Sequence, residues 1–227
     1  MNNNNIKYER DILFLDLEFY VPKKDRDMHQ YSLTVNPTKP DHFLIGGVFT
    51  RYTPNKDDIN RLELNNYWIW DYQNEKELLS AIYRCFISSW EHQKNKNGLE
   101  LDICGIGISK FDIPALYIRC VMNNVDKSEN LFDIFLKTHQ IDLSNVAIPF
   151  IDDQPQLHPV SANRIYRKLE INKVKTTGGI NVWEMYDNKE YSKIKERTMG
   201  EVRDCVIIFN RFSNSILKDK KFSVRQK

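Results

Sequence analysis

Two carboxylates sit inside the apolar run ILFLDLEFY, residues 12–20. Along an extended strand successive side chains point to opposite faces, so Asp16 and Glu18 project from the same side. An ionised carboxylate in an apolar setting costs several kcal/mol unless it is compensated. Two more acidic residues interrupt apolar stretches in the same way: Asp112 in GISKFDIPALYIR and Asp204 in GEVRDCVIIFNRF. Four such carboxylates can hold two divalent cations roughly 3.5–4 Å apart, one helping to generate hydroxide from water and the other stabilising a leaving oxygen. Each acid also has a plainer reading. Asp16 and Glu18 could be a solvent-facing pair at a strand end. Asp112 could cap the helix that begins near Pro114. Asp204 could be an exposed helix carboxylate paired with Arg197 or Arg203.

The elements that must position these residues read as follows. ILFLDLEFY is a strand, and residues 21–41 form a polar, proline-punctuated loop or hairpin insertion. HFLIGGVFTRY is a second strand bent at Gly46-Gly47, and NYWIWDY a third, by its aromatic content. Asn74 caps a helix from Glu75 to about Gln93, with Leu78, Leu79, Ile82, Cys85, Phe86 and Trp90 at helical spacing. LDICGIGI is a fourth strand that runs through a loop into a helix at Pro114, and QIDLSNVAIPF (140–150) a fifth strand. A helix capped by Ser161 follows, and a last one spans about Lys195 to Phe212. Strands and helices in this order predict an α/β fold, a mixed central sheet of about five strands flanked by helices.

Composition narrows the function classes. The chain has 227 residues with 33 basic and 31 acidic side chains, a net charge of +2 that shows no large polycationic surface and leaves room for a local basic groove. A mean hydropathy of −0.57 and the lack of a run near the ~20 apolar residues of a membrane span predict a soluble protein. The start MNNNNIKYER has no apolar core of a signal peptide, which predicts a cytoplasmic location. Cys85, Cys104, Cys120 and Cys205 form no CxxC pair and read as small buried hydrophobes. The five histidines are scattered, without HxH or HxxxH spacing. A nucleotide-cofactor enzyme lacks its marks, since neither GxGxxG nor a P-loop is present. Tyr67, Trp68, Trp70 and Tyr72 could stack on bases, though strand aromatics more commonly pack against the sheet.

The ordered set LFLDLEF, then GIGISKFDIPALYIR, then GEVRDCVIIFNRF resembles the three motifs of the DEDD superfamily of 3′–5′ exonucleases, which have an RNase H-like fold. The likeness is to the exonuclease domain of family B DNA polymerases and its stand-alone bacterial relatives. RKLEINKVKTTGGINVWEMY resembles the stretch that precedes the family's third motif. The resemblance implies one RNase H-like domain over residues 10–213, between a disordered N-terminus, 1–9, and a basic C-terminal tail, 214–227. It implies that Asp16, Glu18, Asp112 and Asp204 are the catalytic metal carboxylates, holding two Mg²⁺ or Mn²⁺ ions for hydrolysis at a nucleic acid 3′ end. Glu18 would also contact the terminal 3′-hydroxyl. Lys173, Lys175 and Phe111 are the substrate-binding candidates, and Asp142 is a secondary acidic candidate on the next strand.

One departure stands out. The family places a tyrosine four residues, or a histidine five residues, before the last aspartate as general base. Here those positions are Gly200 and Met199, and neither can accept a proton. Loss of a general base typically costs about 10²–10⁴-fold in rate. The chain is then an enzyme with a substitute base, for which Tyr186 and Tyr191 are candidates, a slow enzyme, or a catalytically inactive exonuclease fold that binds nucleic acid or a protein partner.

Overall fold

The computed structural model describes residues 10–26, 35–54, 56–151, 158–171 and 180–218. Lys173, Lys175, residues 1–9 and the tail from 219 onward lie outside the described residues. Five strands form one sheet: β1 (Ile12–Phe19), β2 (Leu44–Tyr52), β3 (Asn65–Trp68), β4 (Asp102–Gly105) and β5 (His139–Asp142). Their order is β3-β2-β1-β4-β5. The β1–β2 and β2–β3 pairs are antiparallel, whereas β1–β4 and β4–β5 are parallel. This is the expected mixed α/β sheet, consistent with an RNase H-like fold.

Seven α-helices accompany the sheet among the described residues: α1 (Glu75–Asn97), α2 (Asp112–Met122), α3 (Ser128–Phe135), α4 (Leu143–Val146), α5 (Ala162–Lys168), α6 (Ile180–Asp187) and α7 (Tyr191–Lys218). They divide into two layers. Leu13, Leu15 and Leu17 of β1 pack with Leu78, Ile82 and Phe86 of α1, Leu116 of α2 and Phe135 of α3. Ile12 and Phe14 pack with Ile165 of α5, Val182 of α6 and Val202, Val206 and Phe212 of α7. A central strand covered on both faces reads as a continuous apolar run, which is why ILFLDLEF shows so little polar alternation.

Local chemistry explains the boundaries. The Asn74 side chain accepts from the Glu77 N–H at 3.0 Å and starts α1, and Gly98, at φ +69°, ends it. The β1–β2 register slips between Glu18 and Phe19, opposite Gly46. A Cβ at Gly46 would lie 2.1 Å from the Tyr67 carbonyl oxygen, and its φ of +152° suits only glycine, so the bend expected at Gly46-Gly47 has a steric cause.

Several expected boundaries shift. The third strand stops at Trp68 and continues as a 3₁₀ turn, Ile69–Asp71. The fifth strand stops at Asp142, because its side chain accepts from the Ser144 N–H at 2.9 Å and starts α4. Ser161 precedes α5 without a side-chain cap bond. The last helix runs to Lys218, beyond Phe212. Helices α3 and α6 were not expected from the sequence.

The arginine of the second motif has a structural place. Arg119 is buried and forms a two-point pair with Glu75, through Nε at 2.9 Å and through Nη2. Its Nη1 donates to the carbonyls of Pro37 and Lys39 at 3.0 and 2.9 Å. Glu75 also accepts from the Leu44 N–H at 2.8 Å, so this pair joins α1, α2, β2 and the segment before it. Removing one partner of a buried pair leaves the other charge uncompensated. Arg119→Met should lower the unfolding free energy by about 3–5 kcal/mol, measured by chemical denaturation.

Candidate active site

Alternation along β1 puts Ile12, Phe14, Asp16 and Glu18 on the face covered by α7. The first two belong to the core, and the last two reach the end of the strand, beside the bulge. There a cavity of about 470 Å³ opens, lined by Asp16, Glu18, Phe111, Asp112, Arg197 and Glu201 among others. One oxygen each from Asp16, Glu18 and Glu201 lie within 4.8 Å of one another. The strand therefore delivers its two carboxylates to a third on α7, three residues before Asp204.

Glu201 escaped sequence reasoning. The signal was present in GEVRD, where Glu201 and Asp204 are spaced i,i+3 on one helix face. Asp204 itself is buried, does not line the cavity, and lies against Tyr166 of α5. Burial and then the Asp204 charge hold the Tyr166 phenol protonated far above its ordinary range. Asp204 is thus not an exposed helix carboxylate, and Arg197 turns elsewhere. Its Nη1 donates to Glu18 Oε1 at 2.7 Å and its Nη2 to Glu201 Oε1 at 3.1 Å. The Thr198 hydroxyl also donates to Glu18 Oε1, at 3.2 Å.

Asp112 is the first residue of α2, so it follows the cap position, and its buried side chain faces the cavity. The loop that delivers it, residues 106–111, is held by Asp142. That carboxylate accepts from the Gly107 N–H at 2.8 Å and from the Ser109 N–H and hydroxyl at 3.1 and 2.5 Å. With Ser144 also bound, both Asp142 oxygens are engaged by backbone and hydroxyl donors. Asp142 therefore shapes the loop. Phe111 lines the cavity and packs edge-on against Phe19, with ring centroids 5.3 Å apart.

Gly200 and Met199 both lie on α7. Met199 packs against the core. Tyr191 stacks on Trp70 at 4.3 Å and Tyr186 packs against Tyr20 at 5.1 Å; neither lines the cavity. Trp68 and Trp70 likewise stack on each other, at 5.1 Å, so these strand aromatics pack within the protein. Glu201, the residue after Gly200, is the acid that adjoins these two positions in sequence.

Electrostatics set the character of the cavity. Burial, then the charges of Glu201, Glu18 and Asp112, push the Asp16 carboxyl well above the usual range, with Arg197 opposing. Burial first and the Glu18 charge second push Asp112 up to about 8. Burial works against the Arg197 charge, but Glu18, Glu201 and Asp16 outweigh it and hold the guanidinium firmly protonated. An all-oxygen donor set suits hard cations such as Mg²⁺ and Mn²⁺, and the raised carboxyls mark an excess of negative charge that such an ion relieves. The residues fit a divalent cation. A second group, Asp25, Asp41 and His42, also converges. It is internally paired: Lys39 and His42 engage Asp25, Lys24 engages Asp41, and His42 Nδ1 accepts from the Asn36 N–H.

No family model matches the chain, and no curated protein is similar to it at a significant level. Among solved structures it is similar to the family B DNA polymerase from the hyperthermophilic archaeon Pyrobaculum calidifontis, with a TM-score of 0.52 and 15% identity. The match covers 87% of this chain and 24% of the polymerase, so the chain spans about a quarter of that protein's length. At this identity the likeness is one of fold.

Two outcomes follow from the geometry. Asp142→Ala strips the acceptor from several donors, a cost of about 1–3 kcal/mol for each one left buried and unsatisfied, and should destabilise the protein by about 2–4 kcal/mol in chemical denaturation. Asp112 has a folded value of about 8 against an ordinary 3.8. As pH rises from about 4 to about 8, the unfolded chain gives up this proton while the folded chain keeps it, so the Asp112 contribution to stability falls across that window and levels off above it. The melting temperature in chelator should decline over this range, less steeply in Asp112→Asn and less steeply with Mg²⁺ or Mn²⁺ added.

Proposed function

We propose that this chain is a metal-dependent 3′–5′ exonuclease that removes nucleotides from a nucleic acid 3′ end, with DNA favoured over RNA. The observation that carries this reading is the convergence of Asp16, Glu18 and Glu201 oxygens within 4.8 Å in one cavity. Three further facts support it. The first two acids occupy the Asp-x-Glu motif of the DEDD exonucleases, the sheet order is consistent with their fold, and the structural neighbour is named as a DNA polymerase.

In this reading Asp16, Glu18, Asp112 and Glu201 hold the divalent cations, with Asp204 one turn deeper on α7. When bound, Mg²⁺ or Mn²⁺ supplies Lewis-acid activation of a water nucleophile and charge neutralisation at the leaving oxygen. The chain's own groups do the rest. A cavity of about 470 Å³ has the dimensions of a small-ligand site and admits a terminal nucleotide. Phe111 gives the terminal base an aromatic ring to pack on, and Lys110, also in the cavity wall, gives a phosphate a cation. Glu201 stands beside the position that the family gives to its base and takes the proton from the attacking water. Cytoplasmic placement accords with this role, and no helix among the described residues is long and apolar enough to cross a membrane.

The competing reading is a fold retained for binding alone, and it draws on Gly200 and Met199. A 5′-labelled single-stranded oligonucleotide separates the two. It should shorten from its 3′ end with Mg²⁺ or Mn²⁺ and stay intact in chelator. Asp16→Ala should abolish the shortening, and Glu201→Gln should slow it about 10²–10⁴-fold. Intact DNA and RNA under both metals would sink the enzymatic reading.

A further inference from the structure

Arg197 stands out among the groups in the cavity wall because its charge lies where a cation belongs. The guanidinium reaches from α7 across to β1 and bonds Glu18 at 2.7 Å and Glu201 at 3.1 Å, one nitrogen for each acid. These are two of the three carboxylates whose oxygens converge within 4.8 Å; the third is Asp16, to which no Arg197 bond is formed. The pair is well shielded, with side-chain exposures of 17% for Arg197, 8% for Glu18 and 11% for Glu201, so its attraction is only weakly screened by solvent. The Thr198 hydroxyl, fully buried on the same helix, lies 3.2 Å from the same Glu18 oxygen and 2.9 Å from the Ile194 carbonyl, sharing its one proton between them.

A Mg²⁺ or Mn²⁺ ion demands ligand oxygens at about 2.0–2.2 Å. It cannot take the Glu18 oxygen that Arg197 holds without meeting a like charge at hydrogen-bond distance from that same oxygen. Arginine cannot relieve the conflict by losing its proton, as a lysine or histidine can. Asp16 and Asp112, in contrast, line the cavity without an arginine hydrogen bond. The hydrogen bonds of the guanidinium are therefore unevenly placed: Arg197 bonds Glu18 and Glu201, and neither Asp16 nor Asp112.

We infer that Arg197 is a built-in counter-cation that fills the second cation position in the substrate-free protein, so that the cavity takes one divalent ion until Arg197 is displaced. The inference rests on the reading of these carboxylates as a metal cage. It makes Arg197 a positioning residue for the metal complement, and it means that loading the second ion requires breaking two ion pairs.

Counting bound Mn²⁺ tests this without any reaction, by electron paramagnetic resonance titration of free ion in the full chain without nucleic acid. Wild type should bind one ion. Arg197→Gln, which removes the charge, should bind a second, and its melting temperature should rise more steeply with Mn²⁺ than that of wild type. Arg197→Met, which removes the charge as well, should also bind a second ion and guards against a Gln variant that fails to fold. Two equivalent ions in wild type, or a Gln or Met variant that folds yet stays at one ion, would each overturn the role of Arg197 and leave the cage standing. No Mn²⁺ bound by any of the three would overturn the cage itself, and this inference with it.

Discussion

Strand β1 is buried on both faces, and the placement of Asp16 and Glu18 depends on that constraint. Its odd positions, Leu13 to Leu17, are taken by the layer of α1, α2 and α3. Its even positions face α7, so an acid at 16 or 18 has no route to bulk water except past the strand's end. The bulge at Glu18 and the close approach of Gly46 open that end, and the parallel strand β4 brings Asp112 to the same edge. A parallel neighbour is what makes this possible, because β1 and β4 finish on the same side of the sheet and their following segments share one cleft.

The two ends of the central strands handle negative charge in opposite ways. At the start of β1, Asp11 accepts from Lys96 at 2.7 Å and from the Thr53 hydroxyl at 2.5 Å, with His92 at 3.0 Å. Beside it, Asp102 at the start of β4 is matched by Arg10 at 3.1 Å and His139 at 2.7 Å. Those acids are dressed for structure. At the far end, the ion pairs of Glu18 and Glu201 converge on a single guanidinium, while Asp16 and Asp112 are driven toward their protonated forms. Desolvated like charges left in one cleft are costly to keep, and such clusters gather at functional sites.

Much of this was legible in the sequence. Apolar runs broken by acids located β1, α2 and α7, and the strand alternation already placed Asp16 and Glu18 on one face. Asn74 marked the start of α1 because capping chemistry is local, whereas its end, expected near Gln93, lies at Asn97. The rest depended on contacts across the chain. Asp142 reads as one more acid on a strand, and only its bonds to residues 107, 109 and 144 show that it organises a loop. Glu201 and Arg197 sit on a long helix dense in charge, where no local rule selects the pair that faces inward. Helices α3 and α6 have 8 residues each, too short for the long periodic stretch that a pattern needs.

The bonding of Asp142 has a consequence for how this cleft changes over evolutionary time. The loop 106–111 takes its path from backbone amides seated on a carboxylate that belongs to the neighbouring strand, with Ser109 the one side chain that joins in. Of the loop residues that line the cavity, Ile106, Lys110 and Phe111 take no part in those bonds, and Gly107 enters them through its backbone N–H alone. The frame and the contact surface are thus encoded by different residues, and the lining can be exchanged for another without disturbing the carboxylate that follows it.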